Sequence, residues 1–211
     1  MPYLNIYLPV LILITLSIVI KYGITLKLSE YRILILYLIV TLFVESAANT
    51  LDYYKQSNLS VYNIGMIFEV NIFLNIFLKK STDKIKTLLH YTITIFNCFA
   101  LVNIIFFQKY NKFQSNTYTL ACLLLMFVTL SFLFKLIIKK TNSPLRDFFF
   151  WFSIGVLFCY LGNFPYLSSL NSLIALNDNT EKALAIISIT VNSLLYLLIS
   201  IGVVCNRREA N

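Results

Sequence analysis

"YRILILYLIVTLFVESAANTLDYYKQSNLSVYNIGMIFEVNIFLNIFL" (residues 31–78) reads as two long apolar runs broken by one short polar turn, "DYYKQSNLS" (52–60). Each run has about twenty residues, which as a helix crosses the ~30 Å hydrocarbon core of a bilayer. Helix is the default conformation there, because its backbone hydrogen bonds are satisfied within the segment where no water reaches. A connection this short makes the two helices antiparallel neighbours.

The same reading extends along the chain. Seven such runs are present: 4–22, 31–51, 61–78, 87–107, 118–138, 148–168 and 183–205. The 211 residues are 59% hydrophobic and only 12% charged, about half the charged fraction of a soluble domain. The ten-residue alternating segments of an outer-membrane barrel are missing. The expected fold is therefore an all-α integral membrane protein, a seven-transmembrane-helix bundle forming one domain over 1–211. The start, "MPYLNIYLPV" (1–10), has neither a basic n-region nor a small-residue cleavage site, which predicts an uncleaved first helix.

Charge sets the expected orientation. Of the 17 Lys and Arg, 13 fall in the first, third and fifth connections and the C-terminal tail, and 4 fall on the other side. The positive-inside rule then places the N-terminus outside and the C-terminus in the cytoplasm. The net charge of +8 reads as topology and contact with membrane lipids, not as a nucleic-acid footprint. Cys98, Cys122, Cys159 and Cys205 lie inside helices or at their inner ends, so no disulfide framework is expected.

Several activities lose their chemistry at this stage. The last run, "ALAIISITVNSLLYLLISIGVVC" (183–205), has no lysine to form a retinal Schiff base. His90 is the single histidine, and without a second His or a CxxC no metal or cofactor is expected. No G-x-S-x-G elbow, P-loop or G-x-G-x-x-G fingerprint occurs, and no catalytic residue stands out.

What remains is a set of polar residues at membrane depth. Glu45 lies in the second run and Glu69 in the third, each about 9–12 Å below the same end of its helix at 1.5 Å per residue. A charge in hydrocarbon costs about 2.5–3.5 kcal/mol on insertion scales, so both carboxylates should point into the bundle. Asn49 is expected to share the face of Glu45, and Tyr160, Asn163 and Asn192 to reach a similar depth, with Asn97 nearer the midplane. Together these residues are expected to floor an outward-facing polar cavity. On the third helix Glu69 shares a stripe with Tyr62 and Gly65, while Asn71 and Asn75 take the opposite face, which makes this helix the central one. The competing structural reading is plain helix-to-helix hydrogen bonding. It suits the single asparagines and the stripe Ser188–Asn192–Tyr196–Ser200, as close packing suits Gly155 and Gly162. Pro165 is expected either to open the sixth helix or to end it.

On the inner face "KKTNSPLRDFFFWF" (139–152) joins Lys139, Lys140 and Arg146 to an aromatic run containing Trp151. Basic residues at headgroups above an aromatic belt form an interfacial anchor. The alternative is a docking loop for a protein partner on the cytoplasmic face.

Three stretches, "LYLIVTLFVESAANTLDYYKQSNLSVYNIGMIFEV" (36–70), "SPLRDFFFWFSIGVLFCYLGNF" (143–164) and "VNSLLYLLISIGVVCN" (191–206), resemble small polytopic membrane proteins of Bacteroidota-type bacteria. That resemblance implies a bacterial inner membrane and no activity. Length and helix count also resemble the SWEET-type sugar carriers, with Asn71 or Asn75 facing Asn192 as paired asparagines. The proline tetrad and Pro-Gln motifs of those carriers are missing. The expected function is a ligand-sensing or accessory subunit acting through a partner. A small proton- or cation-coupled transporter is the alternative, followed by an intramembrane lipid-modifying enzyme or pore-forming effector.

Overall fold

The computed structural model describes residues 2–26, 29–109, 112–138, 144–169, 171 and 178–210. Its helices are α1 (Pro2–Leu26), α2 (Ser29–Tyr53), α3 (Leu59–Lys80), α4 (Asp83–Val102), α5 (Ser115–Ile138), α6 (Phe148–Ser169) and α7 (Asp178–Ala210). No strand occurs among the described residues. Most helices overrun their apolar cores by two to five residues at each end, because hydropathy marks only the part that meets hydrocarbon.

The fourth run departs from this pattern. Regular helix stops at Val102, and Asn103–Phe107 forms a single π turn. Asn103 is buried there, its amide within hydrogen-bond distance of Gln108 Oε1 (2.9 Å), Gln114 Oε1 (2.6 Å) and Thr117 Oγ1 (3.0 Å). This polar knot turns the chain back into α5 without leaving the buried amides unpaired. Pro165 neither ends α6 nor begins a loop, since the helix runs four residues past it.

Six helical segments, of 21–25 residues, are long and apolar enough to span a bilayer, and α1 presents a further apolar stretch over Tyr7–Gly23. The exposure pattern is that of a membrane protein. Phe43, Phe106, Phe127 and Ile138 are each more than two-thirds exposed, while Asn63, Asn103, Gln114 and Thr117 are buried. Water would penalise that arrangement and lipid favours it.

The helices form a ring. α1 packs on α2 and α7, α2 on α3, α6 on α5 and α7, and α3 approaches α5 to close the circuit. The spanning segments of α3 and α6 are 50% buried against 22% for α2 and α4, which makes α3 and α6 the most covered members of the ring. Aromatic side chains join them. Phe73 on α3 meets Tyr37 of α2 at 4.7 Å between ring centroids, and Phe152 and Tyr160 of α6 at 5.4 and 6.2 Å. One turn on, Phe77 meets Phe132 of α5 at 4.9 Å and Phe152 at 5.4 Å. α4 lies on the outer side of α3 and α5, held to α3 by reciprocal Asn71–Asn97 amide bonds of 3.0 and 2.8 Å.

Small residues set the tightest contacts. A Cβ on Gly162 of α6 would lie 2.6 Å from Cγ1 of Val191 on α7, whose branched side chain has little rotamer freedom to yield. At Gly155 the corresponding neighbour is Leu195 Cδ1 at 3.0 Å, the far end of a flexible chain. Gly162→Ala is therefore expected to destabilise the bundle by about 1–3 kcal/mol, with Gly155→Ala costing less. Val191→Ala should restore most of the loss, as read by unfolding in lipid nanodiscs.

The turn between α2 and α3 is a Schellman-type stop. Gln56 N–H donates to Leu51 O (2.8 Å) and Lys55 N–H to Asp52 O (2.9 Å), with Lys55 left-handed at φ 56°. A side chain is strained in that region and glycine is not. Lys55→Gly should raise stability by about 1 kcal/mol in the same unfolding measurement.

Candidate functional site

One end of the ring is packed and the other is open. Toward the end where α1, α3, α5 and α7 begin, the helices surround a cavity of about 590 Å³. Its wall draws on α1 (Leu8), α2 (Tyr37 to Glu45), α3 (Leu59 to Glu69), α5 (Tyr118), α6 (Cys159 to Leu167) and α7 (Ala185 to Tyr196), with Phe113 and Asn171 at the rim. Beneath it the aromatic layer of Phe73, Phe77, Phe132 and Phe152 fills the bundle.

Both glutamates belong to this wall. Glu69 lies ten residues into α3 and Glu45 eight residues before the end of α2, about 15 and 12 Å along their helices. Each is engaged by its own tyrosine. Tyr37 Oη donates to Glu69 Oε1 (3.3 Å), and Tyr62 Oη donates to Glu45 Oε2 (3.4 Å). Both glutamates are half-buried, facing the cavity and not sealed in the core.

The opposite wall carries Asn163, Asn192 and Cys159. Cys159 Sγ–H donates to Asn192 Oδ1 (3.1 Å), and Asn163 Nδ2 lies 3.6 Å from that sulfur and 3.5 Å from Asn192 Oδ1. Tyr160 stacks on Tyr118 at 5.9 Å with a 14° interplanar angle. Two atoms stand out here: Tyr160 Oη and Asn163 Oδ1 are buried without a hydrogen-bond partner. A buried oxygen without a partner costs about 1–3 kcal/mol, and Ser153 Oγ of α6 shares that status among the described residues.

The expected layer is thus only partly assembled. Glu45, Glu69, Tyr160, Asn163 and Asn192 come together around the cavity, while Asn49 and Asn97 lie outside its wall. At 100° per residue, Tyr37, Val40, Thr41, Val44 and Glu45 centre the α2 face about 110° away from Asn49, so sharing a stripe with Glu45 is not sharing its direction. Asn97 spends its amide on Asn71 and the Ile93 carbonyl, the structural role open to it from the start. The same pairing removes the carrier-like asparagines: Asn71 faces α4 and Asn75 is exposed, while Asn192 faces Cys159 and Asn163. The polar stripe on α7 divides. Ser188, Asn192 and Tyr196 line the cavity, and Ser200 Oγ instead meets Thr15 of α1 at 3.3 Å.

On the far face, Lys139 and Lys140 lie outside the described residues. Arg146 is exposed, at the end of a 3-10 turn (Pro144–Arg146), and Trp151 Nε1–H donates back across that turn to Leu145 O at 2.7 Å. His90 is exposed on α4.

The rim holds residues that the sequence pattern did not single out. Asn63 Nδ2 donates to Lys112 O (2.8 Å) and its Oδ1 accepts from Gln114 N–H (2.9 Å). From α6's side Asn171 Nδ2 donates to Phe113 O (2.7 Å) and Ser115 Oγ (2.9 Å). Two asparagines from distant parts of the chain thereby pin Lys112–Gln114 across the bundle end and set Phe113 against Tyr118, 6.0 Å between centroids.

Comparison with protein-family models, with curated proteins and with solved structures finds no match to this chain. Fold and site define its class: a multi-pass helical membrane protein with a polar, aromatic-walled internal cavity.

Asn63→Leu removes both bonds to the strap at once and leaves the Lys112 carbonyl and the Gln114 N–H unpaired. Amide hydrogen exchange at Gln114 is expected to quicken by about tenfold or more, with exchange in the Phe73–Phe77 region unchanged.

Proposed function

We propose that this chain is a membrane-embedded binding subunit for a small molecule, which enters the cavity from one side of the membrane and is reported to a partner on the other. The observation that carries this reading is the contrast along the bundle axis. The open half is hollow, with carboxylates, amides and tyrosine hydroxyls on its wall, and the other half is filled by interlocked rings. Ligand pockets of roughly 300–1,000 Å³ with a few placed polar groups in an apolar wall are the common form of a small-molecule site. The distribution of Lys and Arg favours an outward mouth, and in that orientation the basic stretch that ends at Arg146 is the face offered to a partner. The resemblance noted in the sequence favours a bacterial inner membrane.

A carrier is the second reading. It is favoured by the wall being shared between α1–α3 and α5–α7, with Glu69 near the middle of its helix, where coupling sites of secondary transporters lie.

Single cysteines at Thr41 and Ser188, in a chain whose four native cysteines are replaced, separate these cases. A membrane-impermeant thiol reagent applied to sealed cells is expected to label both. Absence of labelling even after permeabilisation would mean a sealed, purely structural layer. Labelling of Thr41→Cys from either side of the membrane would favour the carrier.

A further inference from the structure

The chemistry of the wall narrows the ligand, given that the cavity is a binding site as read above. Two carboxylates line it, and among its described residues there is no Lys, Arg or His to balance them. An anionic ligand would meet uncompensated like charge. A neutral one would bring no charge to set against the carboxylates in their ionised form. A cation answers both.

The kind of cation follows from what else is present. A metal ion wants several hard or nitrogen ligands converging on one point. Glu45 and Glu69 are instead each turned to a separate tyrosine, and no cluster of three or more His, Cys, Asp or Glu forms among the described residues. Six tyrosines contribute to the wall, and of these Tyr62 and Tyr166 are partly exposed while Tyr37, Tyr118, Tyr160 and Tyr196 are buried behind them. An aromatic ring beside a carboxylate attracts an organic ammonium through the ring quadrupole as well as through charge. Val40, Leu59, Met66 and Ile189 leave the rest of the wall apolar.

We propose that the cavity binds an organic cation: an amine or alkylammonium group set between Glu69, Glu45 and the tyrosines, with an apolar body against the aliphatic side. Within this arrangement Glu69 and Glu45 supply both the counter-charge and the hydrogen-bond acceptors.

The test uses the full chain in nanodiscs and calorimetric titration with phenethylamine, tetraethylammonium and the neutral 2-phenylethanol. Phenethylamine is expected to bind at least about tenfold more tightly than 2-phenylethanol, and Glu69→Gln to weaken it by a similar factor while leaving the alcohol unchanged. Glu45→Gln is the second variant, so the outcome does not depend on one mutant folding. Equal binding of amine and alcohol, or full amine affinity in both variants, overturns the cation and leaves the cavity as a binding site. Binding of none of the three probes also overturns it, and the labelling of Thr41→Cys and Ser188→Cys then decides independently whether the cavity is open.

Discussion

A polar side chain at membrane depth has no water to turn to, so its partner must come from another part of the protein. That requirement fixes which helices of this chain meet. Asn71 and Asn97 bring α4 to α3, Thr15 and Ser200 bring α1 to α7, and Asn206 on α7 donates to Tyr31 of α2 at 2.8 Å. Asn63 and Asn171 bring the α4–α5 strap over the cavity rim. Each bond is weak alone, well under about 1–2 kcal/mol in a membrane. Their value lies in selecting one arrangement among many that bury the same apolar surface. Among the described residues Ser153 Oγ, Tyr160 Oη and Asn163 Oδ1 are the buried side-chain oxygens left outside this pattern.

Volume supplies the second constraint. Where glycine stands, at Gly155 and Gly162 of α6, α7 comes close enough to touch side chain to backbone, and the two helices form the most extensive contact in the bundle. Where phenylalanine and tyrosine stand, the helices are held apart and the space between them is filled by rings. The cavity begins beyond Phe73 and Phe152, where the next turns of α3 and α6 carry Glu69, Tyr160 and Asn163 on its wall.

The helices were legible from hydropathy because lipid demands long uninterrupted apolar segments and this chain supplies them. The faces of α3 were legible too. Tyr62, Gly65 and Glu69 do line the cavity, with Asn71 and Asn75 turned elsewhere, because one helix's own periodicity is enough to separate its sides. What sequence does not carry is the identity of the neighbour. Asn97 and Asn192 lie on different helices of comparable polarity, and depth alone could not tell which faces α6 and which is spent on α3. Asn49 failed for a related reason, since a position one turn from Glu45 shares its stripe yet points past the edge of the cavity face. Tyr37 and Tyr118 look like any aromatic in an apolar run until the carboxylate or the stacked ring beside them is seen. Asn63 gave no signal, because its partners are backbone atoms about fifty residues away.

The closing of the ring by α1 and α7 has a mechanical side. α7 is one unbroken helix of 33 residues, touching the cavity through Asn192 and Tyr196 and tied to the start of α2 through Asn206. Asn192 and Asn206 are fourteen residues apart, about 21 Å along a stiff rod. A side-chain pull on Asn192 cannot be absorbed locally by a loop, because no loop intervenes. One continuous helix therefore links the cavity wall at Asn192 to the anchoring bond between Asn206 and Tyr31 at the opposite end of the bundle, so the two ends cannot be repositioned independently.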